Sequence, residues 1–447
     1  MGKIDTVFTH CAVEDMNWVN FVHDLQWDDI PETSQHMARR CLLDTLGVAI
    51  GGRQTELSRI IHDFAAAVYG GNDTRLWQNG RFVSAPGAAL ANGMTIDSLD
   101  MHDGYQLCKG HAGAALVPAV IATLENDTTG KELLTSLVIG YEIACRAGVA
   151  LHATVTDYHT SGAWNALGCA VITARRMGLT AEQTRHAVGI AEYHGPRSQM
   201  MRCIDFPTMV KDGSGWGAMT GISAALMAAQ GFTGAPAITI EADEVASLWD
   251  LGERWLMAEQ YFKSFAVCYW AQPSIAASLG LQSCHNLDIE DISAIRVYTF
   301  HEATRLACHR PANTEEAQYS LPFPVGAALV HGHIGGREIS GDELFNPAVL
   351  RLSDMVELVE GDEFNQRFPT ERLCRVEIDT QDGQTFRSPE TRSPWDETAP
   401  ATDAQLLAKF RRLAEGQVKP ERAEAIEKAA WNCDELSTAR ELAELMS

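Results

Sequence analysis

Six ionisable side chains, Asp97, Asp100, His102, Asp103, Lys109 and His111, fall within one short run of the chain that Gly104, Gly110 and Gly113 interrupt. Glycine at that density ends any regular helix or strand, so the run reads as a polar loop. The apolar residues from Ala114 to Ile121 predict a buried helix directly behind it, with Pro118 accommodated in the first turn. Burying so many charges is costly unless partners or a ligand meet them, which places the loop in a cleft. The plainer alternative is a solvated acidic surface. Imidazole, ammonium and carboxylate groups brought together can transfer protons and stabilise charge that develops on a ligand.

Other candidates for such a site lie in three further irregular segments. His159 sits in the polar loop from Thr156 to Gly162. Arg197, Arg202 and Lys211 belong to the long stretch from Tyr193 to Gly217, and loops of that length without structure of their own usually bind something. Lys263 and Cys268 share the segment from Phe262 to Cys268. Each has an ordinary alternative: a hydrogen-bonded structural histidine, a surface or ion-paired cation, a small core cysteine. There is no glycine-rich phosphate loop, nucleophile elbow or metal-binding helix motif, so neither nucleotide, acyl-enzyme nor zinc is inferred.

Four of these segments carry a resemblance. Asn92-Gly93, Asp100-Met101-His102-Asp103 and Gly110-His111-Ala112 resemble the signature of the MmgE/PrpD family of 2-methylcitrate dehydratases, cis-aconitate decarboxylases and iminodisuccinate epimerases. His102 replaces an acidic residue of the usual turn, and Ala112 replaces a proline. Lys263 matches the lysine of a second family element, in which Cys268 takes a position held by His or Cys. Gln272 stands where many members have His, and Phe323 stands where a tyrosine closes a third element, with Tyr319 close by in sequence. The resemblance implies a lyase that needs no cofactor and no metal and acts on a di- or tricarboxylate, with dehydration of a 2-methylcitrate-like hydroxy acid expected first. Epimerisation or decarboxylation of a related polycarboxylate is the alternative, and a non-catalytic carboxylate-binding relative is a third. In that reading His111 and His159 are the acid and base, Asp100 orients an imidazole, and Lys211 and Lys263 stabilise charge. Arg202, Arg197, Cys268 and His102 contact substrate. A homodimer is expected.

Helices must do most of the positioning. Helical periodicity runs from Pro31 to Ile50, closed by Gly51-Gly52, and again from Thr55 to Val68, and helices follow from Thr128, Ala163, Thr180 and Gly213. No strand pattern precedes about residue 290. Strand-like runs then occupy 292–300, 373–380 and 385–386, with helices between them at 324–332 and 347–356, and the tail returns to amphipathic helix. The expected architecture is mostly α with a smaller α+β domain: residues 1–272 plus 398–447 form an all-helical domain and 273–397 an inserted α+β domain. At 447 residues and 46% apolar the chain is long enough for both. A formal net charge of -24 disfavours nucleic acid and anionic membranes as partners. Eleven scattered cysteines without a CxxC pair argue against a disulfide framework and a zinc or iron–sulfur site. With no secretory signal and no apolar run of transmembrane length, the expected location is cytoplasmic.

Overall fold

A computed structural model describes residues 17–447. The N-terminal segment in which a secretory signal was sought, residues 1–16, lies outside the described residues. Helix α1 (Asn17–Asp24) leads into α2 (Glu32–Gly52), α3 (Glu56–Val68), α4 (Ala85–Asp97), α5 (Gly113–Ala122), α6 (Gly130–Thr154), α7 (Gly162–Arg176) and α8 (Ala181–His194). After a five-residue turn of helix, α9 (Met201–Asp205), α10 (Ser214–Ala229) completes the helical part.

Local sequence accounts for most of the helix ends. Thr55, Thr129 and Thr180 accept hydrogen bonds from backbone N–H groups in the first turns of α3, α6 and α8, and Gln183 closes a capping box with Thr180. Small residues allow the close packing that their frequency implied. A Cβ on Gly215 of α10 would lie 2.4 Å from the Leu90 carbonyl, and one on Gly93 of α4 would lie 2.7 Å from the Gly215 Cα. Three details depart from the sequence reading. Gly51 and Gly52 do not end α2 as a cap but belong to it, because a Cβ at Gly52 would lie 2.2 Å from the Thr95 carbonyl of α4. Pro118 lies in the middle of α5, not its first turn, and its missing N–H removes one bond of the helix ladder. A hairpin of two short antiparallel strands, β1 (Thr74–Arg75) and β2 (Phe82–Val83), precedes residue 290.

Helix α6 is long and apolar enough to cross a membrane by composition, contrary to the expectation that no such run exists, but nearly all of its apolar window is buried by the rest of the chain. It is a central core helix, covered by α7 on one side.

The α+β part holds a five-stranded mixed sheet in the order β4-β3-β5-β6, with β7 also pairing β5. Strand β3 (Ile292–Thr299) runs parallel to β4 (Val356–Glu360) and antiparallel to β5 (Leu373–Thr380), which pairs β6 (Thr385–Arg387) and β7 (Thr391–Arg392). β3 and β5 carry the buried β-branched and aliphatic residues that strands favour. β4 and β7 are too short and too polar to stand out in sequence. Helices Gln272–His285, Pro322–His331 and Pro347–Asp354 belong to this part, and the first packs on β5.

The tail packs back on the helical part. Thr402 and Gln405 form a capping box for helix Asp403–Ala414, whose Phe410 lies against Gly47 of α2. From the same helix Lys409, almost fully buried, places its Nζ 2.6 Å from Asp44 Oδ1 and donates to the Met101 carbonyl at 2.6 Å. Removing one partner of such a pair leaves the other buried and uncompensated, which costs about 3–5 kcal/mol. Lys409→Met is therefore expected to lower the unfolding free energy obtained from urea titration by an amount in that range. The double variant Lys409→Met/Asp44→Leu should recover a large part of the loss.

Candidate active site

The polar loop after α4 is pinned at several points. Gly104 and Tyr261 exchange backbone hydrogen bonds of 3.0 and 2.8 Å, and Tyr105 N–H donates to the Gly110 carbonyl at 2.9 Å. Behind the loop Asp103 accepts from the Tyr141 hydroxyl at 2.9 Å and from Thr45 at 3.4 Å. A Cβ on Gly113 would lie 2.2 Å from the Asp103 carboxylate, so only glycine leaves room for it. Burial and the nearby Asp44 charge push the Asp103 carboxyl up to about 6.

These contacts position His111. Its Nδ1 lies 2.7 Å from the Asp103 carbonyl, and a carbonyl can only accept, so Nδ1 carries the proton and Nε2 is left with its lone pair. Its backbone N–H donates to Ser161 Oγ at 3.0 Å, and Asn165 donates to its carbonyl at 2.8 Å. Burial, then the charges of Lys263 and His102, hold its pKa well below the ordinary histidine value, so the ring is neutral. His102 stands against it, ring centroids 4.5 Å apart and nearly perpendicular. Burial opposes charge on His102, but Asp97, 3.3 Å from its Nε2, outweighs that and raises its pKa.

His111 opens on a cavity also lined by Asp100, Asp212, Lys263, Cys268, Tyr319 and Arg372. Lys263 is fully buried, and its ammonium is bound by the Asp100 carboxylate and, at 3.0 Å, by the Asp100 carbonyl. Asp212 receives a 2.6 Å hydrogen bond from Ser161 Oγ, which links it to the His111 backbone. Cys268 is a neutral thiol here, its pKa pushed up to about 12 by burial and by Asp100. Lys211 is buried at the edge of this space, bound to Gln318 Oε1 and with its Nζ 5.0 Å from the centre of the Tyr319 ring. Asp100, Lys109 and Lys211 all have left-handed backbones, with φ of 47°, 56° and 49°. Non-glycine residues rarely hold that conformation, and it clusters where function demands a particular side-chain direction.

The expected residues are thus partly brought together. His111, Asp100, Lys263 and Cys268 line one cavity, with Lys211 beside it. Asp100 pairs with Lys263, and the Asp103 carbonyl, not Asp100, orients the imidazole. His102 stands behind His111 and does not line the cavity. His159 does not line it either; its backbone N–H donates to His152 Nε2 at 3.1 Å, and its Nδ1 is buried without a partner. Arg202 lines a separate, largely apolar groove of about 850 Å³ that Lys211 also reaches, and Arg197 is exposed and lines neither space. Gln272 braces the Lys263 segment, donating to the Phe265 and Val267 carbonyls at 2.7 and 3.1 Å. Phe323 is buried in a helix, while Tyr319, four residues earlier and outside that helix, supplies a phenol to the cavity.

Asp212, Arg372, Tyr158, Tyr261 and Tyr269 also line the cavity and were not singled out as site residues. Only the long irregular stretch around residue 211 hinted at Asp212, and nothing in local spacing marks the others. Among the described residues no cluster of three or more His, Cys, Asp or Glu is placed to hold a metal ion.

Two family models account for most of the chain. The MmgE/PrpD N-terminal domain matches residues 17–249 and the MmgE/PrpD C-terminal domain matches residues 265–435, so the protein belongs to the MmgE/PrpD family. Among curated relatives, the cis-aconitate decarboxylase-like protein oryM of Aspergillus oryzae is 23% identical over 96% of both chains. Cis-aconitate decarboxylases of Aspergillus terreus, 22% identical over 96% of this chain and 94% of theirs, and of Homo sapiens, 23% identical over 95% and 92%, are similar along nearly their full length.

The site makes a stability prediction with a definite sign. Burial and the charge of Asp97 push the Asp212 carboxyl up to about 6, against an ordinary 3.8. Between those values the folded protein keeps a proton that the unfolded chain has released, so this residue's contribution to stability is present at low pH and is lost as pH rises through 6. At roughly 1.4 kcal/mol per unit, the window amounts to about 3 kcal/mol. Asp212→Asn removes the titration. Urea unfolding at about pH 4 and pH 7 should show the variant gaining on the wild type by up to that amount as pH rises.

Proposed function

We propose that the protein is a cofactor-independent lyase acting on a polycarboxylate, with His111 moving a proton at a carbon next to a carboxylate. The observation that carries this reading is the neutral, Nε2-free imidazole of His111 in a cavity shared with Lys263. A proton taken from such a carbon leaves an electron pair that spreads onto the carboxylate, and a buried ammonium stabilises that charge far better than water does. Phenols of Tyr158, Tyr261 and Tyr319, whose pKa values burial raises well above the ordinary, stay protonated and can donate hydrogen bonds or a proton to a leaving group.

The specific reaction proposed is decarboxylation of cis-aconitate or a close analogue, supported by the cis-aconitate decarboxylases among the relatives similar over nearly the whole chain. As the bond to the departing carbon dioxide breaks, its electron pair forms a new double bond. The electron pair of the original double bond moves to the carbon beside a remaining carboxylate, which takes up a proton from a cavity phenol such as that of Tyr319. Dehydration of a 2-methylcitrate-like hydroxy acid is the second reading, favoured because His111 is held neutral and so is better prepared to take a proton than to give one. The setting proposed is cytoplasmic, in keeping with cysteines that are all free among the described residues.

The same reading includes a homodimer. Ile60, Phe206, Val210 and Trp216 are exposed and line the apolar groove beside Lys211, and a second copy of the chain is the partner proposed to cover them. Phe206→Asp/Val210→Asp is expected to halve the mass measured by light scattering, and an unchanged mass would remove this surface from the proposal.

Incubation with cis-aconitate, citrate and 2-methylcitrate in deuterated water, followed by NMR, separates the chemistry. Carbon dioxide release with deuterium in the product marks decarboxylation, and an alkene formed from a hydroxy acid marks dehydration. His111→Asn is expected to lower turnover by at least a hundredfold. Saturable binding without turnover or exchange for any of them would make the protein a carboxylate-binding member of the family.

A further inference from the structure

The cations around the cavity are not equally engaged. Lys263 is neutralised by Asp100, and Lys211 is bound to Gln318. Lys211, Lys109 and Arg372 all lack a carboxylate partner among the described residues, although the chain carries a formal net charge of -24, and of these three the cavity is lined by Lys109 and Arg372. They come from the two parts of the fold: Lys109 from the polar loop after α4, Arg372 from the residue just before β5. Both line the cavity.

Arg372 is set up for a partner it lacks. Its guanidinium lies 5.2 Å from the centre of the Tyr269 ring, it donates to Gln106 Oε1, and its buried Nε has no acceptor. Lys109 holds a left-handed backbone, and its Nζ stands 5.9 Å from the centre of the Tyr158 ring. Burial and the charge of Arg372 lower the Lys109 pKa, which reports two cations close enough to repel. An acidic protein that holds two like charges together without a carboxylate leaves an anion to supply it.

We infer that Lys109 and Arg372 form the subsite for a substrate carboxylate that takes no part in bond breaking, and that this pair selects polycarboxylates. A carboxylate there fits between an ammonium and the planar face of hydrogen-bond donors on a guanidinium, displacing the Gln106 amide from Arg372. Gln106 also donates through Nε2 to the Thr370 carbonyl, so the polar loop and the α+β part already meet at this point. The inference rests on the reading of the cavity as a carboxylate site, and adds which residues hold the remote group.

The test uses the full chain and two unreactive probes: tricarballylate, a saturated tricarboxylate, and glutarate, which lacks one carboxylate. Calorimetric titration of the wild type is expected to show tricarballylate binding at least tenfold tighter. Arg372→Gln and Lys109→Gln should each lose most of that preference, about a tenfold to hundredfold weakening for tricarballylate with glutarate little changed. Arg372→Lys should restore part of it. With a turned-over substrate the same variants should raise KM more than they lower kcat, while circular dichroism and melting temperature confirm the fold. Undiminished discrimination in both Gln variants, or no binding of tricarballylate by the wild type, would overturn the subsite. Loss of discrimination in a protein that turns over nothing would uphold the subsite and overturn the lyase.

Discussion

An ammonium sealed from water must find close acceptors, a carboxylate being the strongest, because its desolvation costs several kcal/mol that only close pairing offsets. Two such ammoniums act on one loop. Lys263 binds the carboxylate and carbonyl of Asp100, and Lys409 binds Asp44 and the carbonyl of Met101. Consecutive carbonyls are thereby held from two sides, by a segment preceding the sheet and by the C-terminal tail. Asp100 accepts a φ of 47° in return. The tail helix is far from the cavity in sequence, yet through Lys409 it helps fix where the loop carrying His111 begins.

That rigid loop lets two adjacent imidazoles shift their pKa values in opposite directions. Asp97 raises the pKa of His102, while burial and the charges of Lys263 and His102 depress that of His111. A neighbouring cation would ordinarily be a poor companion for a base, since it weakens proton affinity. Here it keeps the ring unprotonated, and the Asp103 carbonyl fixes the tautomer so that Nε2 keeps its lone pair. Separating titration by environment is how one site supplies a base near neutral pH.

The helical class, the smaller mixed part and the returning tail were legible because periodicity and capping residues act over a few positions: Thr55, Thr180 with Gln183, and the β-branched runs at 292–299 and 373–380. The loop around His111 was legible for a similar reason, its charges and glycines being adjacent. What escaped depends on distant residues meeting. Arg372 precedes a strand with nothing local to mark it, and Lys409 looks like any exposed residue of an amphipathic helix until α2 covers it. Asp100 seemed suited to orient an imidazole, but a nearby carbonyl did so, because the buried Lys263 had the stronger need of a carboxylate. Gln272 and Phe323 stand at positions where polar ring groups were expected. Gln272 became a brace for the backbone of the Lys263 segment, and Tyr319, in the bend before the helix that holds Phe323, carries a phenol into the cavity.

At about 30 Å³ the cavity has room for about one water molecule, far less than a tricarboxylate needs. A ligand of that size would have to widen this space, and the two parts of the fold meet along one of its edges in a seam. Two glutamines bridge it: Gln318 between Lys211 and the Ser98 carbonyl, and Gln106 between Thr370 and Arg372. Amide bridges of this kind exchange for water at little net cost, whereas parting α6 from α7 would expose close-packed apolar surface. A polycarboxylate of the proposed kind would offer Lys211 and Arg372 better acceptors than glutamine does, so that its own charge would replace the two contacts its binding breaks.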